Sequence, residues 1–231
     1  LDGDLRQTLR DGLREQQTVA RALLDGGASR LGWKAGFGTA VAMRNLGTQG
    51  PLAGFLSDST LAASGTSFDV SDWAKPVLEP EVAVRLAADI HPGQRVEEIE
   101  AAVGAVAAAI ELVDLAEASA DPGAILAANI FHRAVLLGDF VALPPKSSLG
   151  DARIDVLPTP GDDVLGADPT VLLGDLTAVL AGMADLLAEA EDGLLAGDVI
   201  ITGAAVKPFE LPGLESIEVR VGESTVRAAL G

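Results

Sequence analysis

The chain has 231 residues, 48% of them hydrophobic, which is ample for one domain with a sizeable core. A formal charge of −18, with only 16 scattered lysines and arginines, excludes a nucleic-acid partner and requires that an anionic substrate be captured by a local cation. With no cysteine there are no disulfides, thiolate metal sites or cysteine nucleophiles, and the longest purely apolar stretch, Ala101–Ile110, is about half a bilayer span, so no membrane partner is expected.

Leu5, Leu9, Leu13, Val19 and Leu23 recur among charged and amide side chains, which predicts an amphipathic helix over Asp4–Leu24 ending at Asp25-Gly26-Gly27. Residues 1–30 are thus read as a helical segment packed on a main domain of residues 31–231, serving as a cap or an oligomer contact. No secretory leader is evident, and a cytoplasmic protein is expected, although Leu1 leaves the native start open. From Leu31 to Asp72, Gly32, Gly36, Gly38, Gly47, Gly50, Gly54 and Gly65 break the pattern into short pieces, which suit loops around a site and ordinary turns equally.

Val77–Leu86 alternates with period two, placing Glu79, Glu81 and Arg85 on one face and Val82, Val84 and Leu86 on the other. After a turn at His91-Pro92-Gly93, a helix is expected over Val96–Ala109, with Glu97, Glu98 and Glu100 in its first turn, leading into Ile110-Glu111-Leu112-Val113. Strands are expected at Ala134–Leu137 and Asp139–Leu143, followed by a proline-marked loop, and a second helix over Thr170–Ala190. The C-terminal strands are Asp198–Gly203, then Ser216–Val221 and Thr225–Ala229, joined as a hairpin through Gly222-Glu223-Ser224. Strands that do not alternate with helices on a regular βαβ period predict an α+β domain built on mixed sheets.

Glu79 and Glu81 pointing the same way repel unless a cation, a proton or solvent relieves them. Two neighbouring glutamates also fit the wet face of a half-exposed strand. Glu111 changes the balance: it and Asp114 are the only charges between Ala101 and Leu115, and a glutamate embedded there should be paired, protonated or bound to metal. Three converging carboxylates suit magnesium, manganese or calcium.

Gly32-Trp33-Lys34-Ala35-Gly36, Phe55-Leu56-Ser57-Asp58, Leu78-Glu79-Pro80-Glu81, Ala109-Ile110-Glu111-Leu112-Val113-Asp114 and Gly197-Asp198-Val199-Ile200-Ile201-Thr202-Gly203 stand in the order seen in the fumarylacetoacetate hydrolase superfamily. The set resembles most its branch of 2-hydroxypenta-2,4-dienoate (2-keto-4-pentenoate) hydratases and 4-oxalocrotonate decarboxylases, over roughly residues 30–205. The resemblance implies a β-rich, mixed-sheet roll with peripheral helices, assembled as a homo-oligomer. It also implies magnesium or manganese on Glu79, Glu81 and Glu111, with Lys34 and Asp58 as catalytic residues. On local grounds Lys34 equally fits an exposed strand position stacked on Trp33, and Asp58 a turn or helix cap.

The substrate expected is a small 2-oxo or 2-hydroxy enoate, whose carboxylate and C2 oxygen match two open metal positions, with the metal stabilising charge on the C2 oxygen as an enolate forms. Hydration of a 2-hydroxy-2,4-dienoate is the leading expectation; decarboxylation of a 2-oxo dicarboxylate, turnover of another 2-oxo acid, or a fold kept without activity are the alternatives. Hydrolysis is demoted because the resemblance implies a histidine–glutamate pair in the first half of the domain for hydrolases of the superfamily, and no histidine precedes His91. Thr202 and Gly203 could present a hydroxyl and an amide to the substrate carboxylate or simply end a strand. His132 could bind substrate or serve as an unconventional base. Lys207, Arg133 or Arg44 could meet a second carboxylate or be surface cations. The chain departs from the branch around the substrate pocket, with Ala128-Asn129-Ile130-Phe131-His132, Gly166-Ala167-Asp168-Pro169 and Ala204-Ala205-Val206-Lys207-Pro208 in place of its usual segments.

Overall fold

In the computed structural model, which describes residues 3–117, 119–143, 148–161 and 163–231, two β-sheets pack face to face and helices cover the rest of that face of the larger one. Helix α1 (Gly3–Asp25) leads into β1 (Arg30–Gly36), α2 (Ala40–Leu46), β2 (Leu52–Ser57), the short β3 (Leu61–Ala62) and β4 (Ser67–Phe68), and the long β5 (Pro76–Leu86). There follow α3 (Val96–Ala102), β6 (Val103–Asp114), α4 (Pro122–Ala127), β7 (His132–Leu137), β8 (Val141–Ala142), β9 (Ile154–Thr159) and β10 (Leu165–Ala167). The chain closes with α5 (Thr170–Leu173), α6 (Leu176–Ala188), β11 (Val199–Ala204), β12 (Phe209–Glu210), β13 (Ser216–Val221) and β14 (Ser224–Leu230). Among the described residues no helix is long and apolar enough to cross a membrane.

The larger sheet is curled and runs β2-β1-β11-β5-β6-β7-β3, with β12 also paired to β5 and β8 to β6. Its neighbours are antiparallel except β1 with β11 and β3 with β7. The smaller sheet runs β10-β9-β13-β14-β4. Alternation along the strands decides what each face meets. Leu78 and Val82 of β5, with Ala108, Ile110 and Leu112 of β6, pack against Ile154, Val156, Ile217 and Val219 of the smaller sheet. Towards β1 and β2 the same layer is taken by Trp33, Ala35 and Phe55, which meet Leu9 and Leu13 of α1, Leu126 of α4 and Leu180 and Met183 of α6. Each such buried leucine or isoleucine contributes about 1.5–3 kcal/mol by leaving water. The opposite face, lined by Leu56, Ala83, Ala107, Ala109, Val135, Val199 and Ile201, is also buried.

The expected α+β architecture holds, with three local differences. The helix expected over Val96–Ala109 stops at Ala102, and Val103–Ala109 is strand. Alanine favours helix by a few tenths of a kcal/mol per residue, but here the segment is paired to β5 on one side and to β7 and β8 on the other, and pairing plus burial outweigh that preference. The helix expected over Thr170–Ala190 breaks at Gly174, whose φ of +74° an L side chain rarely adopts, and Asp175 starts a new helix by accepting the Thr177 N–H at 2.9 Å. The strand expected at Asp139–Leu143 shrinks to Val141–Ala142, and the loop marked by Pro144 and Pro145 lies outside the described residues. Val84 and Leu86 do lie opposite Glu79 and Glu81, but they meet the helices, whereas Val82 meets the smaller sheet.

Candidate metal centre

Antiparallel register sets Glu79 of β5 directly opposite Glu111 of β6, and Glu81 follows two residues later on the same face. One carboxylate oxygen from each of the three lies within 4.8 Å of the other two. Glu81 and Glu111 are fully buried and Glu79 is half-buried. Three carboxylates this close, out of water, cannot all be ionised without compensation.

Each of the two buried glutamates has one oxygen satisfied and one not. Glu111 Oε1 receives an ion pair from Lys34 Nζ and a hydrogen bond from His132 Nδ1 at 2.7 Å. Glu81 Oε2 accepts the backbone N–H of Gly203 at 2.7 Å. Glu111 Oε2 and Glu81 Oε1 are buried with no hydrogen-bond partner. A buried polar atom left unpaired costs about 1–3 kcal/mol, more when charged. An oxygen-seeking divalent cation held by Glu79, Glu81 and Glu111 would satisfy both atoms, so the donor set fits magnesium or manganese.

The electrostatics follow from the same geometry. Burial, then the neighbouring Glu111, pushes the Glu79 carboxyl up to about 7, with Lys34 pulling against them. Burial, then Glu111 and Glu79, pushes Glu81 well above the usual carboxylate range. Burial would raise Glu111 too, but the Lys34 charge and the His132 hydrogen bond hold it below its ordinary value. The ionised form is therefore favoured at Glu111, while Glu79 and Glu81 keep protons to higher pH than ordinary carboxylates do, and a cation competes with those protons.

Lys34 is 1% exposed, on the face shared with Ile201 of β11, so the alternative of an exposed lysine stacked on Trp33 does not hold. Trp33, one residue earlier, points to the helices, edge-on to Phe55 with ring centroids 5.7 Å apart. Opposite Lys34 on β2 stands Gly54, where an added Cβ would come within 2.7 Å of the lysine Cγ and 3.1 Å of Asn129 Oδ1. Lys34 Nζ also donates to the Ile130 carbonyl at 3.1 Å. That carbonyl is presented by three successive left-handed residues, Asn129, Ile130 and Phe131, with φ of 49°, 50° and 61°. Such backbone costs about 1–3 kcal/mol per residue and persists only where surroundings enforce it. Asn129 supplies the enforcement by accepting the Phe55 N–H at 2.7 Å and donating to the Phe55 carbonyl at 2.9 Å, as a neighbouring strand would.

Thr202 and Gly203 sit where the β11–β5 register shifts between Ile201 and Ala204. Gly203 needs its φ of +99°, and a Cβ there would press on Leu173 at 3.1 Å. The Thr202 hydroxyl donates to the Val82 carbonyl at 3.0 Å. His132 enters the cluster through Glu111 and meets Thr60 Oγ1 with Nε2 at 2.9 Å. Of the residues singled out in the sequence, the structure joins Lys34 and His132 to Glu111, and Gly203 to Glu81, with Glu79 alongside and Thr202 next in the chain. Asp58 and Lys207 are exposed; Asp58 accepts the Ser29 N–H at 2.8 Å, and among the described residues no hydrogen bond joins either to the cluster. Thr60 and the Ile130 carbonyl escape sequence reasoning; Asn129 stands there only within a departing segment, and its role comes from backbone geometry. A cleft of about 700 Å³ between α1, α6 and residues 48–52 involves none of these groups.

No family model matches the chain. A 4-oxalocrotonate decarboxylase from Pseudomonas putida is 29% identical over 217 residues, covering 92% of this chain and 81% of that protein. The solved structure of 4-oxalocrotonate decarboxylase from Pseudomonas putida G7, complexed with magnesium and adipate, superposes with a TM-score of 0.82 at 26% identity, covering 94% of this chain and 83% of that one. A fumarylacetoacetate hydrolase family protein from Yersinia pestis CO92 shares the fold, with a TM-score of 0.64 at 13% identity over 87% of this chain and 93% of that one.

Proposed function

Because the chain belongs to the fumarylacetoacetate hydrolase superfamily, in its branch of 2-keto-4-pentenoate hydratases and 4-oxalocrotonate decarboxylases, we propose that it is a divalent-metal-dependent decarboxylase of a small 2-oxo dicarboxylate of the 4-oxalocrotonate type. The observation that carries the metal dependence is the pair of orphaned, buried oxygens on Glu81 and Glu111, two members of one three-carboxylate cluster. The hydration expected from the sequence yields first place, because the curated relatives at this level of identity are decarboxylases.

Glu79, Glu81 and Glu111 would hold the cation, which would supply electron-withdrawing charge for a 2-oxo acid. The chain's own residues build the rest. Lys34 spends two of its three N–H groups on Glu111 and the Ile130 carbonyl, which leaves the third for the substrate carboxylate or for a proton in transit. The Gly203 N–H donates to Glu81 and the Thr202 hydroxyl to Val82, bonds that support a role for both in shaping the centre. The buried alanines 83, 107 and 109 give the cluster dry surroundings, in which charge at the reacting atoms is felt strongly.

The test is to give chelator-stripped protein 4-oxalocrotonate, and separately freshly generated 2-hydroxypenta-2,4-dienoate, with and without magnesium. Magnesium-dependent carbon dioxide release is expected. Metal-dependent loss of the dienol with no carbon dioxide from the dicarboxylate would reverse the assignment to hydration.

A further inference from the structure

His132 owes its position to a bulge. Leu112 pairs with Ala134 but Val113 pairs with His132, so Arg133 is the extra residue on β7. Without it, alternation would turn His132 to the face opposite Glu111; with it, the imidazole swings onto the glutamate's own face. The ring is then held at both nitrogens, Nδ1 on Glu111 Oε1 at 2.7 Å and Nε2 on Thr60 Oγ1 at 2.9 Å, with its side chain 2% exposed. An ionised carboxylate only accepts, so the proton on this contact lies on Nδ1.

Glu111 Oε1 thus has two donors, Lys34 and His132, and no lone-pair direction left for a cation, while Oε2 has none. We infer that His132 is a positioning residue that fixes which oxygen of Glu111 meets the metal, making Glu111 a one-oxygen ligand through Oε2, with Thr60 holding the ring in place. The inference rests on the metal-centre reading above. Groups that orient a metal ligand from behind typically change affinity by about 10–100-fold when removed. Neither ring nitrogen is free to take substrate or act as a base, which sets this role apart from both uses of His132 expected from the sequence.

The experiment titrates chelator-stripped protein with Mn²⁺ and reads the free ion by electron paramagnetic resonance, with no substrate present. His132→Ala should weaken Mn²⁺ binding by about 10–100-fold. His132→Asn, whose amide nitrogen can stand where Nδ1 stood, should recover most of the loss, an outcome that a merely space-filling side chain does not give. Thr60→Val should weaken binding by a smaller factor with the fold intact by circular dichroism. Wild-type affinity in His132→Ala overturns the inference; should that variant not fold, wild-type affinity in Thr60→Val does so. Equal, negligible binding by wild type and Glu81→Gln sinks the metal reading itself, and the role of His132 with it, whereas a wild type that binds beside an unaffected His132→Ala sinks the inference alone.

Discussion

Glu111 and Lys34 divide the work of the cluster between charge and reactivity. The lysine keeps the glutamate ionised by ion-pairing with Oε1, and His132 shares that oxygen. Removing the lysine leaves the glutamate one donor and takes a positive charge away from the place where a cation would sit. Lys34→Met is therefore expected to keep Mn²⁺ affinity within a few-fold while lowering turnover by about 10²–10⁴, the usual range for a lost proton-transfer group. Measuring Mn²⁺ binding and kcat on the same preparation checks both halves, and full turnover in the variant would remove Lys34 from the mechanism. The His132→Ala variant is expected to do the reverse at the first step, losing metal before it loses chemistry.

At the scale of elements, the site is a crossing of β1, β5, β6 and β11 closed by the Asn129–Phe131 turn. The turn is strained and the glycine beneath it is tight, so the two form one mechanical unit. Gly54→Ala would drive a methyl group to 2.7 Å from Lys34 Cγ and 3.1 Å from Asn129 Oδ1, displacing the lysine and the clamp on Phe55 together. Its turnover is expected to fall at least tenfold, and Asn129→Ala is expected to lower stability by about 1–3 kcal/mol, because two backbone groups of Phe55 lose their partner. Denaturant unfolding and steady-state kinetics separate these effects. The same elements explain what could be read from the chain. The Glu79–Glu81 strand was legible because a period of two survives in ten residues, and Glu111 because a lone charge in an apolar run is conspicuous. The strand carrying Glu111 was half-misread as helix, since a run of alanines has no pattern of its own and only its neighbours on both sides make it β. Thr60 and the Ile130 carbonyl were invisible, because one is reached through a histidine re-aimed by a bulge and the other is backbone.

Across the whole molecule the cluster ties stability to pH and metal. In the metal-free protein Glu79 is raised to about 7 and Glu81 is also raised, so between the ordinary carboxylate value and about 7 the folded chain binds more protons than the unfolded chain. That contribution to stability is complete below the unfolded value and is lost as pH rises through the folded one. Glu111 and Asp114, whose carboxyls are lowered, act in the opposite sense, but on the acid side of this window. Chelated protein should therefore show a falling Tm from pH 5 to pH 8. Magnesium should restore it most at the alkaline end, where no proton competes for the ligands. Thermal melts of wild type and Glu81→Gln, with magnesium and with chelator, check this; a magnesium effect that is flat with pH would count against a proton–metal exchange.

The parallel pairing of β1 with β11 has a consequence for synthesis. Lys34 lies beside Ile201, so β1, once synthesised, waits with one edge open for β11, a strand made much later in the chain. Loop-closure entropy must be met in full before that contact forms, and an unpaired hydrophobic edge is a template for other chains. The vulnerable species is therefore the nascent polypeptide: a chain truncated before Val199 should aggregate however much magnesium is supplied, since the cage that would receive the ion is assembled only when the sheet is complete.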